Sequence, residues 1–247
     1  MKSNLKLFVL AFLLITTETL TFAGSVKIAV KSSSIETQDR KLSGFHAIAS
    51  SGSFDVVMSQ GNTESVRVKA DAEVINEVVT EVKNGTLMIH SKNNHNWGMS
   101  HLWINKPIII YVVAKDLNSI GLTGSGDLRI DNQFNTNTLQ LRLSGSGDFK
   151  GAINVKTLEA SISGSGDFSI SGKADETTVS ISGSGDYRGG DLITKSTAIR
   201  VSGSGDANIY ASENVEASVS GSGDVHYSGH PKNVSKVAHG SGDISGS

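Results

Sequence analysis

Residues 139–149, LQLRLSGSGDF, contain the pattern that decides the fold. Three leucines alternate with polar residues, a Gly-Ser-Gly-Asp turn follows, and an aromatic residue comes directly after the aspartate. Alternation with a period of two is typical of a strand that buries one face. The stretch therefore predicts a short strand, a sharp corner and the beginning of a second strand.

This GSGD turn occurs seven times, and successive copies begin 21, 19, 19, 20, 18 and 19 residues apart. Each copy follows an alternating strand and precedes an apolar or aromatic residue. If each repeat forms one coil, equivalent residues stack into columns and bury a continuous core. The period is too short for a propeller blade, and the leucine-rich-repeat consensus is absent. We predict an all-β protein, a parallel β-helix or solenoid with 19–20 residues per coil.

The repeated glycines have a structural interpretation. A sharp corner needs a positive φ, which glycine adopts without a Cβ penalty. The glycines predicted to shape these turns are Gly124, Gly126, Gly145, Gly147, Gly164, Gly166, Gly183, Gly185, Gly203, Gly205, Gly221 and Gly223.

The repeated aspartates favour the same interpretation, because a carboxylate can accept hydrogen bonds from turn N–H groups. A ladder of stacked carboxylates would also repel, and a bound cation would relieve that repulsion. One aspartate per coil supplies too few ligands for a calcium site, so we predict no metal and no cofactor. A calcium ladder stays the alternative, with Asp127, Asp148, Asp167, Asp186, Asp206, Asp224 and Asp243 as its ligands.

The N-terminus has the pattern of a secretory signal. Lys2 and Lys6 precede an apolar run from residue 7 to 15, and small residues end at Ala23. We predict a signal peptide over residues 1–23 and export to the periplasm, the outer cell surface or the medium. No later stretch is long and apolar enough to be an integral membrane segment. The absence of cysteine excludes disulfides, thiol chemistry and a lipid-modified cysteine anchor.

Three further parts follow the predicted signal. Residues 24–42 are polar and irregular, which favours a linker, and residues 43–120 form a β-rich part that can cap the open end of the solenoid over residues 121–247. Residues 71–82 carry a helix-like pattern, and Asn84-Gly85 indicates a tight turn after it. Without the signal the chain has 20 basic and 23 acidic residues, which gives no reason to expect nucleic acid as a partner.

Residues 90–103 contain three of the seven histidines and both tryptophans. A metal interpretation would use His90, His95 and His101, whose spacing matches no familiar zinc pattern. Trp97 and Trp103 could instead form a platform for a ligand such as a sugar, or pack against the core.

No catalytic motif is present, so we predict that the protein is not an enzyme. Paired carboxylates on a β-helix can cleave polysaccharides, and a carbohydrate-active enzyme is therefore the alternative from another class. Evenly spaced aspartates, one per coil, are typical of structural residues instead.

Three stretches resemble one known family: residues 52–61, residues 80–87, and the junction from Leu117 through Ile120 to Asp127. They are similar to the family described as "putative auto-transporter adhesin, head GIN domain", over about residues 43–230. The resemblance implies a right-handed β-helix-like fold, a cell-envelope location in Gram-negative bacteria and no catalytic residues to carry over. No alternating membrane strands follow the repeats, so we expect no translocator barrel.

These observations together predict a non-enzymatic cell-envelope or secreted β-solenoid, an adhesin-like binding or structural module. A surface glycan or a protein is the expected partner, bound by outward Ser, Thr and Arg faces or by the Trp97–Trp103 loop. The last repeat has no obvious polar cap, so a homo-oligomer paired end to end is a further expectation. A calcium-stabilised surface scaffold is the remaining alternative.

Overall fold

The structure of the protein, a computed structural model, describes residues 34–92 and 106–247. The described residues belong to one compact unit. These residues form one 3-10 turn and twenty strands. The strands are β1 (Ile35–Arg40), β2 (Ala47–Gly52), β3 (Phe54–Gln60), β4 (Ser65–Asp71), β5 (Val78–Lys83), β6 (Thr86–Ser91), β7 (Ile108–Ala114), β8 (Ser119–Gly124), β9 (Leu128–Ile130), β10 (Phe134–Asn135), β11 (Thr138–Gly145), β12 (Phe149–Gly164), β13 (Phe168–Gly183), β14 (Tyr187–Gly189), β15 (Leu192–Gly203), β16 (Ala207–Tyr210), β17 (Asn214–Gly221), β18 (Val225–Ser228), β19 (Asn233–Gly240) and β20 (Ile244–Gly246).

The repeats stack as parallel coils. The strands before the turns pair in the order β8, β11, β12, β13, β15, β17 and β19, always parallel. Their register places the first glycine of each turn opposite the first glycine of the next, from Gly124 to Gly240. The strands after the turns pair in the same manner. The predicted parallel β-solenoid is confirmed.

Stacked apolar columns form the core, because every second residue of a strand points to the same side. The central column of the strands before the turns is at most 3% exposed at each position. Its members are Leu141, Ala160, Val179, Ile199 and Ala217. After the turns, the rings of Phe149 and Phe168 pack edge to face with centroids 5.5 Å apart, and Tyr187 continues this column. Burial of such side chains stabilises the fold by about 1.5–3 kcal/mol each.

The stack begins one coil before the first complete GSGD turn. Strand β2 pairs parallel with β8, which places Gly52 opposite Gly124, and β3 pairs parallel with β9. On their other edges β2 pairs with β6 and β3 pairs with β7, again parallel. Residues before 121 therefore contribute strands to the same stack.

Antiparallel strands lie at the N-terminal end of the stack, and the capping role predicted for residues 43–120 stays a prediction. Strand β4 pairs with β7, β1 pairs with β4, and β5 pairs with β6. Strand β1 lies within the predicted linker of residues 24–42. The predicted signal peptide, residues 1–23, lies outside the described residues, and the division of the chain into four parts stays a prediction. Within residues 34–92 and 106–247 no helix is long and apolar enough to span a membrane.

The helix-like interpretation of residues 71–82 is wrong. Only Ile75–Glu77 is helical, as a single 3-10 turn, and Val78–Lys83 is strand β5. Asn84 and Gly85 have φ values of 50° and 73°, which closes the tight hairpin that the sequence predicts between β5 and β6. Three valines in β5 also favour a strand, because β-branched side chains lose freedom in a helix.

Candidate functional site

The two glycines of each GSGD turn have different geometry. The first has a φ between 119° and 137° in every copy, a region that L-residues rarely adopt. The second has no positive φ, but a Cβ there would lie 2.0–2.1 Å from the carbonyl oxygen of a residue in the preceding coil. A Cβ on the first glycine would also lie 2.1–2.4 Å from the carbonyl oxygen of the preceding coil's glycine, so the first glycine both turns the chain and allows close approach, whereas the second serves close approach alone.

The aspartates of the turns form a continuous hydrogen-bonded ladder. The backbone N–H of Asp148 donates to Oδ1 of Asp127 at 2.9 Å, and the same bond repeats from each coil to the next as far as Asp243. The ladder begins at Asp55, which accepts from the N–H of Asp127 at 3.3 Å. Each carboxylate thus binds the turn of the following coil.

Basic side chains lie beside part of this ladder. Arg188 donates to Oδ2 of Asp167 at 2.7 Å and to Oδ2 of Asp186 at 2.9 Å. The hydrogen bond to Asp167 is the main cause that raises the pKa of Arg188. Among the described residues, no three His, Cys, Asp or Glu side chains are grouped so that they could hold a metal ion.

The histidine-rich segment is described only at its start. His90 Nε2 lies 3.2 Å from Oε1 of Glu81, and its Nδ1 lies 2.9 Å from the carbonyl oxygen of Ser91. Lys83 and His90 both hold the pKa of Glu81 below its usual value through hydrogen bonds. The other predicted ligands and platform residues, His95, Trp97, His101 and Trp103, lie outside the described residues.

A groove of about 770 Å³ runs along the stack from Gln60 to Ser212, beside the residues that connect each strand after a turn to the strand before the next turn. The sequence did not reveal this groove. Its inner column follows the stack in register: Asn135 lies opposite Asn154, Asn154 opposite Lys173, and Lys173 opposite Ile193. Ile193 is 45% exposed, an unusual apolar position among polar neighbours.

Side-chain amides make one end of the groove rigid. Oε1 of Gln60 accepts from the backbone N–H of Asn135 at 2.9 Å, and its Nε2 donates to the carbonyl oxygens of Lys115 and Asn135. Nδ2 of Asn154 donates to Oδ1 of Asn135 at 3.1 Å. These bonds hold the amide groups of Gln60, Asn135 and Asn154 in place, and amide groups can both donate to and accept from hydroxyl groups.

An outer column of residues runs along the groove and continues beyond it, and from Lys156 onward it alternates in charge from coil to coil. Its successive residues are Asn137, Lys156, Asp175 and Lys195, which line the groove, followed by Glu213 and Lys232, which lie beyond it. Lys195 Nζ lies 2.7 Å from Oδ1 of Asp175. That hydrogen bond raises the pKa of Lys195, and Glu213 contributes at longer range. Four lysines, Lys115, Lys156, Lys173 and Lys195, line the groove, but only two acidic residues do, Asp116 and Asp175. The groove is therefore basic, although the net charge of the chain is −2.

The sequence profile of the family described as "Putative auto-transporter adhesin, head GIN domain" matches residues 44–231. A putative adhesin from Bacteroides fragilis has a similar structure, with a TM-score of 0.81 and 23% identity over 87% of this chain and 98% of that chain. A putative lipid binding protein from Parabacteroides distasonis has a TM-score of 0.69 and 25% identity over 86% and 96% of the two chains. A putative adhesin from the same species has a TM-score of 0.69 and 22% identity over 87% and 98%. No curated protein matches this chain.

Proposed function

The chain belongs to the family described as "Putative auto-transporter adhesin, head GIN domain". On this premise we propose that it is a non-enzymatic, exported binding module that holds its ligand in the groove beside Asn135, Asn154 and Lys173. The observation that carries the proposal is the arrangement of the groove. Polar side chains stand there in register on a rigid stack, which suits a ligand with repeated groups along its length.

The names of the structural neighbours support binding rather than catalysis. Two of them are named as adhesins and one as a lipid-binding protein. We propose a surface glycan as the ligand, because the groove offers amides, hydroxyls and charged groups rather than the apolar walls that acyl chains need.

The carboxylates of the groove favour binding over glycoside hydrolysis. A glycosidase needs two carboxyl groups that flank one scissile bond, one of them free to donate a proton. Here Asp175 is in an ion pair with Lys195, and Asp116 accepts a hydrogen bond from the hydroxyl of Thr136 at 2.8 Å. We expect purified protein to release no product from a polysaccharide panel; reproducible product release would support the enzymatic alternative instead.

The location proposed for this module is the periplasm, the outer cell surface or the medium. The signal-like pattern of residues 1–23 and the adhesin family support export. Labelling of intact cells with a membrane-impermeant reagent distinguishes these compartments. Recovery of the protein only from the cytoplasm would contradict the proposal.

The binding site itself is tested on glycan and lipid arrays with two matched variants. Asn154→Trp places a bulky ring in the groove, whereas Ser180→Trp places the same ring on the outward face of strand β13, away from the groove. We expect the wild-type protein and Ser180→Trp to bind a glycan and Asn154→Trp to lose that binding. Equal binding by both variants would place the site elsewhere, and preference for lipid spots would replace the glycan by a lipid.

A further inference from the structure

We infer that the groove binds an acidic polysaccharide with one negative charge per disaccharide, extended parallel to the axis of the solenoid. This inference rests on the proposed glycan-binding function and names the class of glycan. It follows from three observations: the spacing of the lysines, the acidic residues between them, and the amide column beside them.

The lysines of the outer column recur at every second coil. Lys156, Lys195 and Lys232 are each separated by one intervening coil that carries an acidic residue. Because neighbouring parallel strands lie about 4.8 Å apart, alternate coils are about 10 Å apart. One coil thus matches the length of about one pyranose unit, and two coils match a disaccharide. Acidic groups on alternate sugars would therefore meet successive lysines.

Two of these lysines are available for a ligand. Neither Lys156 nor Lys232 lies in an ion pair with any carboxylate of residues 34–92 and 106–247. Lys173, in the inner column next to Asn154, is likewise outside the ion pairs of the described chain. All three are exposed. An anionic ligand can therefore bind these three lysines without breaking an ion pair within the described chain.

The acidic residues between the lysines restrict the ligand. Asp175 lies between Lys156 and Lys195, and Glu213 lies between Lys195 and Lys232. A polysaccharide with a charge on every sugar would place some of its carboxylates against those of Asp175 and Glu213. The repulsion between these like charges would weaken the binding of such a ligand. A neutral sugar in the same place would instead present hydroxyl groups, which can donate hydrogen bonds to the two carboxylates. The outer column thus favours a polysaccharide in which charged and neutral sugars alternate.

The amides supply contacts that do not depend on charge. Asn135 and Asn154 stand in register at the same spacing as the coils, one column away from the lysines. Asn135 Nδ2 already donates to Gln60 and Gln133, but Oδ1 of both asparagines and the second N–H of Asn154 can bind ring hydroxyls or N-acetyl groups of a chain that follows the stack. The exposed face of Ile193 continues that column and can pack against the apolar face of a sugar ring.

The test compares three polymers by biolayer interferometry: hyaluronan, with one carboxylate per disaccharide; polygalacturonate, with one per sugar; and dextran, with none. We expect the wild-type protein to prefer hyaluronan and its affinity to fall as salt rises. Lys156→Gln should weaken hyaluronan binding about tenfold, the loss typical of one charge-assisted contact. Lys150→Gln removes the same charge outside this groove and should leave the affinity unchanged.

A gain-of-binding variant completes the test. Asp175→Asn with Glu213→Gln removes the acidic residues of the column, and we expect polygalacturonate then to bind the variant more tightly than the wild type. Wild-type binding of polygalacturonate or dextran as tight as that of hyaluronan would overturn the inference. If Asn154→Trp abolishes binding to some other glycan, the proposed function stands without this ligand class. If no groove-dependent binding is found, both proposals fail.

Discussion

At the scale of single residues, the turn glycines stabilise the coil for two separate reasons. The first glycine of each turn supplies a positive φ, and both glycines allow close contact between backbones. The sequence suggested the first reason, because corners commonly need glycine. It could not suggest the second, because that contact joins residues about nineteen positions apart and exists only when the coils are stacked in register.

Both reasons apply at the first glycine of a turn, and together they predict a clear difference between two glycines. Gly164 has a φ of 133°, and a Cβ there would lie 2.3 Å from the carbonyl oxygen of Gly145. We expect Gly164→Ala to lower the free energy of unfolding by about 2 kcal/mol, the order of a strained backbone position. Gly121 has no positive φ and only an ordinary contact at 3.9 Å. Gly121→Ala should therefore change stability by less than about 0.5 kcal/mol. Urea unfolding measures both, and equal effects would contradict the explanation.

The aspartate ladder predicts that the acceptor atom, rather than the charge, stabilises the turns. Oδ1 of Asp148 accepts from the N–H of Asp167 at 2.9 Å. We expect Asp148→Ala to cost about 1 kcal/mol of stability, and Asp148→Asn to cost less because it keeps an acceptor oxygen. Asp243 ends the ladder and binds no further coil among the described residues, so Asp243→Ala is the control.

Thermal unfolding with and without a chelator separates this explanation from a calcium ladder. If chelation lowered the melting temperature of the wild type but not that of Asp148→Asn, a bound cation would replace the hydrogen bond as the cause.

At the scale of strands, the C-terminal coil contains a polar cap that the sequence did not reveal. Lys236 of β19 lies opposite Ala217, in a column that is apolar in every preceding repeat. Its Nζ donates to the carbonyl oxygen of Ile244 at 3.0 Å and lies 4.6 Å from the ring centroid of Tyr227. An inward-pointing charge on an edge strand opposes pairing with another chain.

We expect Lys236→Val to cause end-to-end association. The substitution would join the exposed side chain of Val234, on the same face of β19, to an apolar end surface and remove the charge that resists its burial. Sedimentation velocity should show dimers of the variant at concentrations where the wild type is monomeric. Lys150→Val, on the side of the stack, should stay monomeric. A wild type that already forms dimers would support the end-to-end pairing expected from the sequence and contradict a capping role of Lys236.

The groove shows why strands were easier to predict than the site. The alternation of Leu139, Leu141 and Leu143 is local, so it predicts a strand directly. The groove residues follow the turns at unequal distances: Asn154 and Lys173 each lie six residues after the aspartate of their turn, and Ile193 lies seven after its own. The number of residues between the strand after one turn and the strand before the next varies from coil to coil. The groove residues are therefore aligned only by the register of the paired strands.

At the scale of the whole molecule, the stack should tolerate the loss of one complete coil. Each coil contacts only its neighbours, so stability is approximately a sum over coils and interfaces. Deletion of the 19 residues 168–186 joins Asp167 to Tyr187. It keeps the order of strands and places Tyr187 against Phe149, an aromatic pair like the present one.

We expect this deletion variant to fold with a lower urea midpoint and a smaller m-value, because less surface is exposed on unfolding. Small-angle scattering should give a particle shorter by about 5 Å, one strand spacing. Deletion of the ten residues 168–177 is the control, because it joins strands out of register and turns polar side chains toward the core. That variant should not fold. If both deletions abolished the β-sheet circular dichroism signal equally, the coils would not be interchangeable units, and stability would depend on the chain as a whole.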